Sequence, residues 1–169
     1  MVIMLANIRV LGVDPGFGRT GLGVVDYVDG QVKHVWHSVI ETDTLLDFSQ
    51  RLQIVRNDLQ EAIRRFNPSV VVVEKLFFQN NAKTAVKVGM ARGVILLTIA
   101  DKKLPLIELT PNEVKESVAG FGNADKKQMQ EMVKILLKLK TIPKPDDAAD
   151  ALAMAITGVY IYKTLRRIS

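Results

Sequence analysis

The sequence predicts an α/β fold: a mixed five-stranded sheet, its first three strands antiparallel, flanked by helices on both faces. Three observations carry that prediction. Two apolar runs near the start, 8–14 and 22–27, are separated by a Pro-Gly turn, the pattern of a hairpin. Residues 70–73 are all valine, as in a central strand covered on both faces. Around and after that run, helical and strand-like segments alternate, which builds a sheet with helices packed against it.

Taken in order, the first strand ends at Asp14. Pro15 cannot donate to a ladder and biases Asp14 toward extended geometry, while Gly16, Gly18, Gly21 and Gly23 permit close approach of backbone to a ligand or a neighbouring strand. Val28-Asp29-Gly30 is a turn signal, and residues 31–41 alternate as a third strand, completing a meander. His34 and His37 are an odd number apart, so regular alternation puts them on opposite sides of the sheet, unable to share a metal. Leu45, Phe48, Leu52, Val55, Leu59, Ala62 and Phe66 recur every three or four residues, the stripe of an amphipathic helix that Asn67-Pro68 ends. The valine strand then stops at Glu74, where a carboxylate is costly unless solvated, paired or bound to a cation.

Residues 75–81, with Phe77 and Phe78 among polar neighbours, read as a loop leading into a helix over 82–100. Gly89 and Gly93 inside that helix each cost about 1 kcal/mol relative to Ala, which points to close packing against the sheet or a second subunit. A short strand follows at 106–109. Thr110-Pro111-Asn112-Glu113 then forms a capping box with Pro at the first helical position. Residues 120–123 break that helix, Asp125 caps the next, and Pro143 and Pro145 punctuate a linker. Asp146 and Asp147 open an Ala-rich helix whose small side chains let it lie close against a sheet.

Length and composition narrow the function classes. The 169 residues suit one domain spanning 1–169, with 1–7 as a frayed extension. Hydrophobic content of 48% predicts a folded globule. The absence of cysteine excludes disulfides, thiolate metal sites and Cys nucleophiles, and fits a reducing cytoplasm. The start lacks a basic n-region and a cleavage site, so neither a signal peptide nor a membrane span is expected. A net charge of +5 favours an acidic partner.

In a sheet of this kind the ends of the first and fourth strands are neighbours, which brings Asp14 beside Glu74. Asp147 and Asp150, one turn apart on the last helix, can reach the same place. Four carboxylates so close repel, hard divalent cations relieve the repulsion, and all-oxygen ligation suits Mg²⁺ or Mn²⁺. Two such ions can stabilise the attacking and leaving oxygens of a phosphodiester displacement.

Val13-Asp14-Pro15-Gly16 with Thr20-Gly21, Val73-Glu74-Lys75-Leu76-Phe77 with Asn80, Gly89-Met-Ala-Arg92-Gly93, and Asp147-Ala-Ala-Asp150-Ala-Leu-Ala together resemble the RuvC family of Holliday-junction resolvases, over residues 8–160. The resemblance implies a ribonuclease H-like fold and a homodimer. It implies Mg²⁺-dependent symmetric nicking of four-way DNA junctions during recombination and repair, with the RuvA and RuvB branch-migration proteins as partners. It also implies that Asp14, Glu74, Asp147 and Asp150 are the catalytic metal ligands for two Mg²⁺ ions per subunit, with Mn²⁺ as a substitute. Phe77 matches a base-stacking wedge and Phe78 its neighbour; Lys115 and Lys126 match DNA-contacting lysines. Lys83, Lys87 and Arg92 are further candidates for phosphate contacts, although solvated helix faces account for them equally. The alternatives are a YqgF-type, RuvX-like RNA-processing nuclease and a catalytically silent junction-binding protein. An actin-like ATPase, suggested by the Asp14-Pro-Gly-Phe-Gly hairpin, needs a second domain that this length does not supply.

Overall fold

The computed structural model describes residues 7–75 and 82–168. Its first three strands, β1 (Ile8–Asp14), β2 (Arg19–Val28) and β3 (Gln31–Glu41), pair antiparallel in sequence order. Helix α1 (Phe48–Phe66) crosses over to β4 (Val70–Glu74), and α2 (Ala82–Asp101) to β5 (Leu106–Leu109), so both later strands run parallel to β1. The sheet order is therefore β3-β2-β1-β4-β5. Short turns allow only antiparallel neighbours, whereas a parallel neighbour needs a long crossover; the two connection lengths alone produce this mixture. Three helices complete the chain: α3 (Pro111–Ala119), α4 (Lys126–Leu136) and α5 (Asp146–Ile168).

The four valines of β4 show how the two faces divide. Val71 and Val73 join Leu11, Val13 and Val24 under Val55 and Leu59 of α1 and Ile95 and Ile99 of α2. Val70 and Val72 join Val10 and Val25 under Leu152 and Ile156 of α5, with Val114 of α3 and Val133 of α4. Each valine is fully buried because each face has its own helical layer.

Helix α5 lies directly on β1 and β2. A Cβ at Gly12 would stand 2.0 Å from the Ala151 carbonyl oxygen, and one at Gly23 would stand 2.7 Å from the Leu152 amide nitrogen. The buried alanines 148, 149, 151, 153 and 155 supply the matching smooth surface. The capping box expected at Thr110 and the cap expected at Asp125 are both present: Thr110 Oγ1 accepts from the Glu113 amide at 3.2 Å, and an Asp125 carboxylate oxygen accepts from the Gln128 amide at 2.8 Å.

Four expectations need correction. Helix α1 starts at Phe48 rather than Leu45, which is 91% exposed in the preceding loop. Within α1, Arg51 is buried and Leu52 only half-buried, so the stripe is rotated by one position at its start. A Cβ added at Gly93 would meet no heavy atom within 4 Å, so this glycine does not pack against the sheet.

His34 and His37 depart most from the regular pattern. The β2–β3 register passes from Val24↔Trp36 to Val25↔His34, leaving Val35 as an extra, bulged residue. A bulge resets strand alternation by one, so the two imidazoles meet, His34 Nε2 lying 2.8 Å from His37 Nδ1. Burial lowers the pKa of both rings, and for His34 the charge of His37 lowers it further. Because their folded pKa values lie below the ordinary 6.5, the stability tied to neutral rings is present above that pH and lost as the pH falls through the folded values. Acid titration of the melting temperature between pH 7 and 5 should therefore fall more steeply in the wild type than in His34→Gln.

Candidate functional site

Parallel pairing of Val13 with Val73 brings the next residues, Asp14 and Glu74, out at the same edge of the sheet. The N-terminal turn of α5 comes to that edge because residue 21 has no side chain. A Cβ on Gly21 would stand 2.0 Å from the Asp147 carbonyl oxygen and 3.2 Å from the Asp14 Cβ. Asp14, Glu74 and Asp150 line one cavity of about 220 Å³, together with Lys115 and Lys126. Pro111, Val114, Met129, Ala153 and Met154 supply its apolar wall. Asp147 is not among the lining residues, but its charge acts on both Asp14 and Asp150.

The apolar wall and the crowding of like charges set the electrostatics. Burial raises the Asp14 pKa to about 8, helped by repulsion from Glu74, Asp150 and Asp147. Burial also raises Glu74, with Asp150 adding to it. Asp150 is raised chiefly by burial, and Lys126 opposes the shift. Asp14 in such a cluster holds its proton near neutrality unless another cation takes its place.

The donors fit a hard divalent ion in kind, being all carboxylate oxygens with a net negative charge. Among the described residues, no three His, Cys, Asp or Glu side chains stand close enough together to hold an ion as they are placed. The carboxylates surround the cavity without converging on one point.

Asp146 and Asp147 separate clearly. Asp146 binds Lys144 at 3.0 Å and Lys126 at 3.1 Å, and these two hydrogen bonds hold its carboxyl down at about 2. It is matched by two ammonium groups and acts on Asp150, whereas Asp147 acts on both Asp14 and Asp150. Lys126 thus touches Asp146 while lining the cavity, and Lys115 lines it from α3.

The remaining sequence candidates fall into three groups. The guanidinium of Arg92 meets the Glu108 carboxylate, and its Nε donates to the Glu74 carbonyl at 3.1 Å, so it braces the strand end that carries Glu74. Lys87 places its ammonium 5.6 and 5.7 Å from the Phe17 and Phe48 ring centroids. Phe77, Phe78 and the side chain of Lys83 lie outside the described residues. The sequence carries no sign of Val114 and Met129 as cavity wall and shows Pro111 only as part of a helix cap. The buried Arg51 is missed as well, because the apolar stripe is drawn through Leu52 beside it.

A sequence model of the family described as crossover junction endodeoxyribonuclease RuvC matches residues 10–158. The crossover junction endodeoxyribonuclease RuvC of Thermosipho melanesiensis is 47% identical over 147 residues, covering 87% of this chain and 94% of its own. That of Roseiflexus is 46% identical over 160 residues, covering 95% of each. The structure of Thermus thermophilus RuvC in complex with a Holliday junction substrate superposes with a TM-score of 0.87 at 34% identity, over 93% of this chain and 96% of that one.

Proposed function

The chain belongs to the RuvC family of crossover junction endodeoxyribonucleases, and on that premise we propose that it resolves four-way DNA junctions by nicking two strands of like polarity at the carboxylate cavity. The observation that carries this reading is the gathering of Asp14 and Glu74, at two strand ends, with Asp147 and Asp150 of α5, a crowding of like charge that raises the Asp14 pKa. These four residues would hold two Mg²⁺ ions, with Mn²⁺ as a substitute. Bound there, the ions supply the positive charge that stabilises the entering and departing oxygens of an in-line phosphodiester displacement.

The chain's own groups do the rest. Asp14 gives up its proton and the carboxylates orient the charge; Val114, Met129 and Met154 keep bulk water from that side of the cavity. Lys115 and Lys126, on α3 and α4, face the cavity as contacts for the phosphates flanking the cut. Lys83 and Lys87 are the further candidates for phosphate contacts, and Phe77 with its sequence neighbour Phe78 is the candidate for stacking on a base at the junction centre. Arg92 braces the strand end that carries Glu74 and is a further candidate for a phosphate contact.

A homodimer supplies the second cut. On α2, Val86, Met90 and Leu97 are 60%, 50% and 60% exposed at helical spacing, with Gly93 open between them. A two-fold axis across that face gives one cavity per subunit and hence paired nicks. RuvA and RuvB are the partners that deliver the junction, in the cytoplasm. Among the described residues no helix is long and apolar enough to cross a membrane.

The test is incubation with an end-labelled synthetic four-way junction and, separately, a structured RNA of similar size, each with Mg²⁺ or with EDTA. Paired nicks in opposite arms, dependent on Mg²⁺, are expected for the junction only. Cleavage of the RNA alone would replace this reading with that of an RNA-processing nuclease, and binding without nicks would leave a silent junction-binding protein.

A further inference from the structure

The turn that follows Asp14 is held from behind by a buried cation. Residues 16, 17 and 18 present three consecutive carbonyls, and each meets an internal donor. Thr20 Oγ1 donates to the Gly16 oxygen at 2.6 Å, Thr42 Oγ1 donates to the Phe17 oxygen at 2.6 Å, and the Thr42 amide donates to the Gly18 oxygen at 3.1 Å. Arg51 then closes the arrangement: Nε donates to Thr42 Oγ1 at 2.9 Å and Nη2 donates to the Phe17 oxygen at 3.2 Å. A Thr hydroxyl has one proton, so accepting from Arg51 directs that proton to Phe17. The Phe17 ring is fixed as well, its centroid 5.0 Å from the Arg51 guanidinium carbon and 6.0 Å from the Phe48 ring.

Arg51 is 7% exposed, and among the described residues its guanidinium meets no carboxylate. Burying an unpaired cation is unfavourable, and an aliphatic residue would fill that position of α1 more cheaply. Its Nη2 donates directly to the turn whose first residue follows Asp14, and its Nε donates to Thr42 Oγ1, which itself donates to that turn.

We propose that Arg51, acting with Thr42, is a positioning residue that clamps residues 15–18 and so sets where Asp14 directs its carboxylate within the cavity. The proposal rests on the reading of Asp14 as a ligand of the catalytic ion. If the clamp served the fold alone, weakening it would lower the melting temperature and leave the chemistry of each folded molecule unchanged.

The experiment uses the full chain and four variants: Thr42→Val, Thr42→Ser, Arg51→Lys and Asp14→Asn. Three quantities are read besides the melting temperature: Mn²⁺ binding by the DNA-free protein, junction affinity in EDTA, and the single-turnover nicking rate per folded molecule. Thr42→Val and Arg51→Lys should bind the junction as the wild type does, bind Mn²⁺ more weakly, and nick about a hundredfold more slowly, the scale expected from misplacing a reacting group by about 1 Å. Thr42→Ser keeps the hydroxyl and should restore both Mn²⁺ binding and rate. Arg51→Lys keeps the charge but not the planar fork, so it separates geometry from charge. Should Arg51→Lys fail to fold, the near-isosteric Thr42→Val decides the matter. A folded Thr42→Val with wild-type Mn²⁺ binding and nicking would overturn the clamp. Unchanged Mn²⁺ binding and nicking in Asp14→Asn would instead overturn the underlying reading of the site.

Discussion

Asp14→Asn is expected to slow junction nicking by at least about a thousandfold, the scale of removing a group that organises charge around the reacting atoms, while junction binding persists. The same substitution is expected to stabilise the metal-free protein at pH 8. Burial and three neighbouring carboxylates raise the Asp14 pKa from the ordinary 3.8 to about 8. A group whose folded pKa is raised contributes stability in full below its unfolded value and loses it as the pH climbs through the folded one. The wild type in EDTA should therefore become progressively less stable between pH 4 and 8, and Asn, which never ionises, should remove much of that slope. With allowance for partial solvent screening, the difference at pH 8 is on the order of 2 kcal/mol. Added Mg²⁺ should reverse the order, because it binds the folded wild type and not the variant. Melting curves at pH 5 and 8, in EDTA and in Mg²⁺, would check every limb. Parallel pH slopes for the two proteins in EDTA would mean that Asp14 does not carry the buried negative charge.

This opposition between stability and activity explains why the cavity is partly legible from the order of residues alone. A carboxylate at the end of a strand of four valines contradicts its surroundings, and Glu74 announces itself for that reason. Asp14 before Pro15-Gly16, and the aspartates opening α5, carry the same message at helix and strand ends. The direction of the strands is also readable, because connection length decides parallel from antiparallel pairing.

What escapes sequence reasoning depends on register and on contacts between distant segments. The extra residue at Val35 has no signature of its own; Val suits a bulge and a regular strand alike, so the meeting of His34 and His37 is invisible. Arg51 is hidden by Leu52 beside it, since a stripe drawn through apolar residues skips a buried cation by construction. The choice between Asp146 and Asp147 turns on Lys126 and Lys144, residues whose reach to Asp146 is a tertiary fact. In each case the deciding partner lies on another element or in the backbone geometry.

Gly12→Ala is the second large effect, and it tests whether α5 positions the site as well as the core. The added methyl carbon would lie 2.0 Å from the Ala151 carbonyl oxygen and 2.8 Å from the Ala155 amide nitrogen. Both obstacles are backbone, so no rotamer change relieves them, and either α5 lifts from β1 or the strand recedes. Overpacking of this kind costs about 1–3 kcal/mol, and a clash with backbone belongs at the upper end. Because Asp147 and Asp150 lie on the first turns of that same helix, its displacement also moves half of the carboxylates relative to Asp14. The folded fraction of Gly12→Ala should therefore nick junctions at least about a hundredfold more slowly. Gly30→Ala is the control: its φ of +80° strains any side chain, yet nothing stands within 4 Å of the added carbon. It should lose about 1 kcal/mol of stability through the backbone alone and keep its nicking rate per folded molecule. Calorimetry for stability and single-turnover nicking corrected for folded fraction would separate the two. Equal rates for both variants would mean that the seat of α5 on β1 matters to the core but not to the placement of Asp147 and Asp150.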